Sequence, residues 1–483
     1  MLLVAKKLFD AWNGAGLCYC HWKSNEHLNP GLDGKTDLDV LLAEKDWEAG
    51  RNVLESMDFL RCRSQFGSRY PGVEDWMGFD RETGKLVHVH LHDRLATGHK
   101  GLKEYSLPWV EEMLESRIRE EETGVFIAHP VIEIVTLYVR IALKVSLADL
   151  RRLAGNRYRV DEGVAREIDY LKKRVDWDEV ASFLRLHCGD RAETWLAAMQ
   201  AKELRSEDVA RLRKMAEKQF LPVNRFGRWN RCAEFYYRQA VRVRKFLRKK
   251  TGIPLVCKKV PLTQSGLEVA FLGQDGAGKT TVTSDIRKWW GWKMSVRYLY
   301  MGSGENYSSW RGTLQKRLPD ASAFKMIKAW LQLSKYKQLA KDVLSKTAAG
   351  QEFSGKGELV IYDRYPQVAF PGICDGPKIR EKILPRMPAR FARLFRAFAD
   401  KEEKFLKRAS EHKPDIVFKL LIPPEESVRR KPENKLESMV RKHEIIKSLS
   451  FEGAEVYLID ATMPYDEEIL QIKQIIWDHI RKS

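Results

Sequence analysis

The sequence predicts an α/β protein in three parts: a small α/β domain over 1–125, a helical connecting domain over 126–252, and a C-terminal α/β domain over 262–483. Three observations carry this. After about residue 266, apolar runs of strand length alternate with helical stretches, the pattern of a parallel sheet covered by helices on both faces. From about 128 to 250 the apolar period is helical almost throughout. Before that, short β-like runs mix with helical patterns.

Composition sets the frame for each part. Of 483 residues, 44% are hydrophobic and 31% charged, which is globular rather than disordered or fibrous, and the length exceeds one ordinary core. Lys and Arg number 85 against 66 Asp and Glu, so anionic partners are favoured. The seven cysteines (Cys18, Cys20, Cys62, Cys188, Cys232, Cys257 and Cys374) have no framework spacing and read as free thiols in a reducing cytoplasm. No run approaches the roughly 18 apolar residues of a membrane span.

The N-terminal part opens with Ala5, Leu8, Phe9 and Trp12 at the spacing of an amphipathic helix. Its strand candidates are Asp37 to Leu42 and Leu86 to Leu91. Asp37 and Asp39, two apart on a strand, project to one face and can together ligate a divalent metal. Behind them stand Gly34, Lys35 and Thr36, and upstream His21, Trp22 and Lys23. His88, His90 and His92 share one face of the second strand. Imidazole ligands favour zinc, manganese or iron over magnesium.

The helical part has its most apolar segment at Val131 to Leu143 and ends in a basic stretch, 225–259, with twelve Lys and Arg against Glu234 alone. Within it Tyr236, Ala240, Val243 and Leu247 keep helical spacing, while Arg238, Arg242, Lys245 and Lys249 fall on another face. This predicts a basic amphipathic helix, either packed on its neighbours or turned to an anionic partner or membrane surface. Few stacking aromatics are interleaved, which argues against nucleic acid. Gly252, Pro254, Pro261 and Gly266 then mark the main boundary.

In the C-terminal part the strand Leu267 to Leu272 feeds straight into Gly273-Gln274-Asp275-Gly276-Ala277-Gly278-Lys279-Thr280-Thr281 and a helical stretch. Strand, glycine-rich loop and helix form a P-loop, in which backbone N–H groups and a helix N-terminus face the phosphates of a nucleotide. Lys279 adds a point charge at the β- and γ-phosphates, and Thr280 is placed to ligate magnesium. Another strand, Glu358 to Tyr362, runs into Asp363, Arg364 and Tyr365. A carboxylate at such a strand end faces the ligand crevice, where Asp363 can hold magnesium or orient the acceptor and Arg364 can clamp an anion. Asp415 to Ile422 and Glu455 to Asp460 complete the strands. The basic segment Pro423 to Lys435 suits a lid. Pro371 to Lys378, containing Asp375, combines turn formers with an acid and a base, and Tyr365 and Asp375 join Lys23 as substrate-contact candidates.

The P-loop, Asp363-Arg364-Tyr365, Pro423-Pro424-Glu425 with its basic lid, and Leu458-Ile459-Asp460-Ala461 together resemble the thymidylate kinase family over about 215 residues. The resemblance implies ATP and magnesium on Gly273 to Thr281, Arg364 on the acceptor phosphate and Arg430 on the transferring group. It departs at Tyr300 to Tyr307, where thymidylate kinases carry their monophosphate loop, so the acceptor stays open between a nucleotide monophosphate and a sugar or glycan. In overall pattern the chain resembles the divergent members associated with surface-polysaccharide biosynthesis. The N-terminal part resembles minimal nucleotidyltransferases, which implies metal on Asp37 and Asp39, with His90 or its neighbours in place of a third acid. The expected function is ATP-dependent phosphotransfer fused to a nucleotidyltransferase-like domain. The alternative is a non-catalytic nucleotide-binding regulator that engages a membrane or anionic partner through its basic helix.

Overall fold

Alternation along two N-terminal strands decides which side of their sheet is oily and which is chemical. The computed structural model describes residues 1–63, 70, 72–99, 101–146, 149–251, 259–302, 325–387 and 389–482. The chain divides into two compact units, Met1–Val260 and Pro261–Ser483.

In the first unit the strands are β1 (Tyr19–His21), β2 (Asp37–Leu42), β3 (Leu60–Cys62), β4 (Val73–Phe79), β5 (Leu86–His92), β6 (Leu95–Thr97), β7 (Tyr105–Leu107), β8 (Ile118–Arg119) and β9 (Phe126–Ile127). Seven form one sheet in the order β3-β4-β5-β2-β1-β9-β8, and β6 pairs with β7. Leu38, Val40 and Leu42 of β2, with Val87, Val89 and Leu91 of β5, pack on one face against Ala5, Leu8, Phe9 and Trp12 of the helix Leu3–Gly14. With a period of two, Asp37, Asp39, His88, His90 and His92 must take the opposite face.

The helices of 126–252, read from the sequence as a connecting domain, share a core with this sheet. Trp22 and Leu41 sit in one cluster with Trp109, with Val135 and Tyr138 of the helix Pro130–Lys144, and with Leu184, Trp195 and Leu212 of later helices. That helix is apolar nearly all round because it is buried nearly all round. The basic helix spans Asn230–Thr251. Its Tyr236 and Val243 are exposed, so within this unit the expected apolar stripe does not pack inward. The side chains of Lys245, Leu247 and Lys249, the breakers Gly252 and Pro254, and Ser303 to Tyr307 of the expected acceptor loop lie outside the described residues.

The second unit holds β10 (Leu267–Gly273), β11 (Val296–Tyr300), β12 (Leu359–Asp363), β13 (Ile416–Leu421) and β14 (Glu455–Asp460), in the order β11-β12-β10-β13-β14. Every pair is parallel. β10, β12 and β13 are buried on both faces and mostly apolar, as a sheet covered on both sides requires. One face packs Ala270, Tyr362 and Val417 on Ala340, Leu406 and Ile445 of three helices. On the other, the helices Lys279–Trp290 and Tyr465–Lys482 meet through Trp290 and Trp477, ring centroids 6.3 Å apart. Register sets Tyr300, Asp363 and Phe271 level on three adjacent strands at their C-terminal ends. The six described cysteines are all free. Among the described residues no helix is long and apolar enough to cross a membrane.

Candidate functional site

β10 has to turn into the 279–290 helix within a few residues, and its glycines permit this for different reasons. A Cβ on Gly273 would lie 2.8 Å from the Leu420 carbonyl oxygen of β13. Gly276 and Gly278 have φ of +88° and +81°, the left-handed region that L side chains avoid. The loop therefore closes over the helix N-terminus, whose first N–H groups have no intrahelical acceptor. Lys279 is buried there and donates from Nζ to the carbonyls of Gly273 (2.7 Å) and Gln274 (2.8 Å). Burial, then repulsion from Arg364, pushes its ammonium down to about 8.

The neighbouring strand brings the second set. Asp363, the last residue of β12, is buried and accepts from the Tyr298 hydroxyl at 2.7 Å. Arg364 follows in a left-handed conformation, φ +73°, with its N–H donating to the Phe271 carbonyl at 3.0 Å. This bend aims its guanidinium at Asp375, 3.5 Å away, while Nε is buried with no partner among the described residues. Cys374 and Asp375 are also left-handed, so strained backbone gathers around this acid–arginine pair.

The basic segment after β13 forms the helix Pro424–Arg430 and is bonded to the loop. Arg430 donates to Glu426 (2.7 Å) and to the carbonyls of Gly276 (3.2 Å) and Ala461 (3.2 Å). The Ser427 hydroxyl donates to the Asp275 carbonyl. Burial would raise the Asp275 carboxyl, but an ion pair with Lys442 holds it below its usual range.

Asp275, Gly276, Gly278, Lys279, Thr280, Thr281, Asp363, Arg364 and Arg430 line one cavity of about 420 Å³, with Tyr298, Tyr300 and Lys431. Gly273 and Asp375 line an adjoining hollow of about 60 Å³ with Arg364 and Lys442. Ala277, within the loop, is itself buried. Tyr365 departs from the expected substrate contact: it is 1% exposed, stands edge-on to Tyr362 and donates to the His412 carbonyl at 2.9 Å. It follows two residues facing the cavity, and the Arg364 bend sends it into the core instead. Sequence reasoning missed Tyr298 and Lys442, which carry no motif and reach the site only through strand register and helix packing.

In the first unit, register builds a second cluster. β2 and β5 pair Asp37 with His88 and Asp39 with His90, and β4 pairs Asp75 with His90. His90 reaches Asp39 (3.2 Å) through Nδ1 and Asp75 (2.9 Å) through Nε2. His88 reaches Asp37 (2.8 Å) and Asp75 (3.2 Å), and His92 reaches Asp39 (3.1 Å). Lys23 pairs with Asp39. Burial opposes the charge on His90, but the carboxylates on both ring nitrogens win and raise it to about 9. His92 is driven down to about 3, chiefly by burial. Asp37, His88 and His90, and likewise Asp39, His90 and His92, place ligand atoms within 4.8 Å of one another. Asp75, absent from the sequence reading, joins the cluster from a strand whose residues show no clear alternation.

No family model matches the chain. It is 25% identical over 233 residues to the uncharacterized ATP-binding protein YghR of Escherichia coli K12, covering 43% of this chain and 86% of that protein. YghS of the same strain, also an uncharacterized ATP-binding protein, is 25% identical over 229 residues, covering 42% of this chain and 89% of YghS. Among solved structures, deoxyadenosine kinase from M. mycoides overlaps loosely: with bound dATP, TM-score 0.28 and 16% identity, covering 44% of this chain and 99% of that one. A second structure of it, with dCMP and dCDP, gives TM-score 0.29 and 15% identity, covering 43% and 97%.

Proposed function

We propose that Pro261–Ser483 is an ATP-dependent phosphotransferase of thymidylate-kinase-like type that moves the γ-phosphoryl group to a small acceptor, a nucleotide monophosphate or a sugar or glycan. The observation that carries this is the single cavity lined by Lys279, Thr280, Asp363, Arg364 and Arg430. Similarity to two ATP-binding proteins supports the nucleotide. In this reading the loop N–H groups and Lys279 hold the β- and γ-phosphates, and Lys279 exchanges its two carbonyl partners for phosphate oxygens. The acceptor oxygen attacks the γ-phosphorus, the bond to the β–γ bridging oxygen breaks, and ADP departs. Asp363 orients the acceptor oxygen and, where that oxygen is a hydroxyl, takes its proton, Arg364 steadies the acceptor from the Asp375 side, and Arg430 offsets charge on the transferring group. The Thr280 hydroxyl and the Asp363 carboxylate line the same cavity and suit magnesium, which supplies charge neutralisation of the phosphates when bound. The free thiols fit a cytoplasmic setting, and surface-polysaccharide assembly is the pathway class to which we assign the acceptor.

The test is product formation by the full chain with ATP, magnesium and a panel of nucleotide monophosphates, sugars and glycans. Lys279→Ala should lose on the order of 10²-fold or more in rate. Absence of product from every acceptor, or equal turnover by Lys279→Ala, would sink the proposal.

A second reading, a regulator docking on an anionic membrane, is favoured by one observation: Trp229, Phe235, Tyr236 and Val243 are exposed beside Arg228, Arg231 and Arg242. It requires salt-sensitive binding to anionic vesicles that Arg238→Gln/Arg242→Gln weakens, with phosphotransfer at background.

A further inference from the structure

The carboxylate–imidazole cluster on the chemical face of the first sheet lies beside a set of cations that the kinase reading does not use. Trp22 is their hub: it is 1% exposed, its Nε1 is buried with no partner among the described residues, and His92 stands edge-on to it at 5.2 Å. Lys23 lies over the same indole at 5.1 Å and Arg140 at 5.8 Å. Lys23 bonds Asp39, and Arg140 lies 3.6 Å from Glu167. Lys144 stands one turn after Arg140 on the helix Pro130–Lys144, and Lys103, in a left-handed backbone of φ +45°, lies over the Tyr70 ring at 5.4 Å; neither is in an ion pair with a described residue.

We propose that the Met1–Val260 unit binds a first-row transition-metal ion through Asp39, His90 and His92, and that Lys23, Lys103, Arg140 and Lys144 hold a phosphate-bearing ligand beside it. The ion follows from the donor set. Two imidazoles and a carboxylate favour zinc, manganese or iron over magnesium. Side-chain exposures of 25% at His90 and 13% at Asp39 leave a way in for the ion. Asp75 bonds the far ring nitrogen of His90, the carboxylate–histidine arrangement that fixes an imidazole ligand.

The anion follows from charge. Among the described carboxylates, Asp39, Glu133 and Glu167 face four cations, of which Arg140 is buried, Lys23 and Lys103 are half-buried and Lys144 is exposed, so positive charge gathers where an anionic ligand can reach it. Lys144 is accessible yet hemmed in by like charge: Arg140 first, then burial, Lys103 and Lys23, lower its ammonium well below the usual range. Burial, then Lys23 and Arg140, bring Lys103 down to about 7. Such mutual repulsion persists in a fold where an anion relieves it, and a phosphate group can touch both these cations and a metal.

The experiment uses the chelator-treated full chain and cobalt(II), whose visible absorption reports imidazole ligation. We expect one cobalt per chain with a visible band, and a loss of at least tenfold in affinity in His90→Ala and in His92→Ala, with circular dichroism showing that each variant stays folded. Adding inorganic phosphate to the cobalt-loaded chain should shift the band, and Lys103→Ala or Lys144→Ala should weaken that response at least tenfold while cobalt affinity is kept. Oxygen-only binding at the P-loop gives little visible absorption and leaves these readouts clean. A wild-type chain without the band, or His90→Ala and His92→Ala with unchanged affinity, overturns the metal site. A band indifferent to phosphate overturns the anion half.

Discussion

Three glycines of one loop separate backbone strain from crowding, and alanine at each should show which is which. At Gly278 an added Cβ meets nothing within 4 Å, so the whole cost of Gly278→Ala is its φ of +81°. A left-handed L residue costs about 1–2 kcal/mol. For a unit the size of Pro261–Ser483 that is a fall of about 2–8 °C in Tm. Gly278→Asn should recover part of it, because asparagine tolerates this region better than alanine. At Gly273 the backbone is ordinary but the new methyl would lie 2.8 Å from the Leu420 carbonyl oxygen and 3.1 Å from the Ala277 Cβ. Neither is the end of a flexible side chain, so β10 and β13 must part, at about 1–3 kcal/mol, and Gly273→Asn should be worse than Gly273→Ala. Gly276 combines φ +88° with a 3.3 Å approach to the Ser427 carbonyl oxygen, so Gly276→Ala should also loosen the 424–430 helix. The assays are calorimetry on the full chain, with the C-terminal transition identified by its response to ATP, and nucleotide affinity by titration. Strain relieved by opening the loop weakens ATP about tenfold per 1.4 kcal/mol. Identical Tm and affinity for wild type, Gly278→Ala and Gly278→Asn would mean the loop does not hold the left-handed turn.

Further expectations follow from the same geometry. Arg364→Lys keeps the charge but loses the fork that faces Asp375, and we expect KM for the acceptor to rise about tenfold or more with ATP affinity little changed; a rise confined to ATP would place Arg364 on the wrong substrate. Tyr365→Phe removes one buried hydrogen bond, so it should cost about 1 kcal/mol in denaturant unfolding and leave turnover intact; lost turnover without lost stability would return Tyr365 to the site. Burial pushes the Glu468 carboxyl up to about 7, with Oε1 unpartnered among the described residues. The folded state then holds a proton that the unfolded state releases between about pH 4.5 and 7, so stability falls as pH rises through that window. Glu468→Gln should remove this group's share of the slope, at most about 3 kcal/mol, and leave that of Glu104 and Glu133, which burial also raises; an unchanged slope in the variant would assign it to those other groups.

The parts of the fold that were legible in the sequence are those where one local constraint acts alone. Val269, Phe271 and Leu272 read as a buried strand because a parallel sheet buries both faces, and Gly276 and Gly278 read as a tight strand-to-helix loop because left-handed backbone favours glycine. Asp37, Asp39 and the histidines read as one face because a strand alternates. What escaped depends on pairing. Nothing in Val73 to Phe79 announces that Asp75 stands opposite His90, since that follows from which strand lies beside which. Lys442 meets Asp275 across 167 positions of chain. The core shared by Trp22, Leu41 and the later helices was hidden for the same reason: helical periodicity tells that a face is buried and not against what. Tyr365 was misplaced because a motif lists residues in order, whereas a single left-handed residue, Arg364, decides the direction of the next side chain.

The two clusters also differ in what can be expected when single residues are changed. In the nucleotide site proposed around Gly273 to Thr281 the groups that would face the ligand are mostly main-chain N–H donors at strand and helix ends, where the backbone leaves the sheet. Side-chain substitutions there remove one contributor among many, apart from Lys279 and Asp363. On the first sheet the cluster lies in mid-strand, where ladder bonds already occupy the backbone and only side chains are available. Asp39 meets His90, His92 and Lys23, and Asp75 meets His88 and His90, so each carboxylate serves several partners at once. Removing one therefore leaves two or three buried groups unsatisfied, and the energies do not add. A double change such as Asp39→Asn with His90→Asn should cost less in stability than the two single changes summed, whereas Lys279→Ala and Tyr365→Phe, which share no hydrogen-bond partner, should come closer to additive.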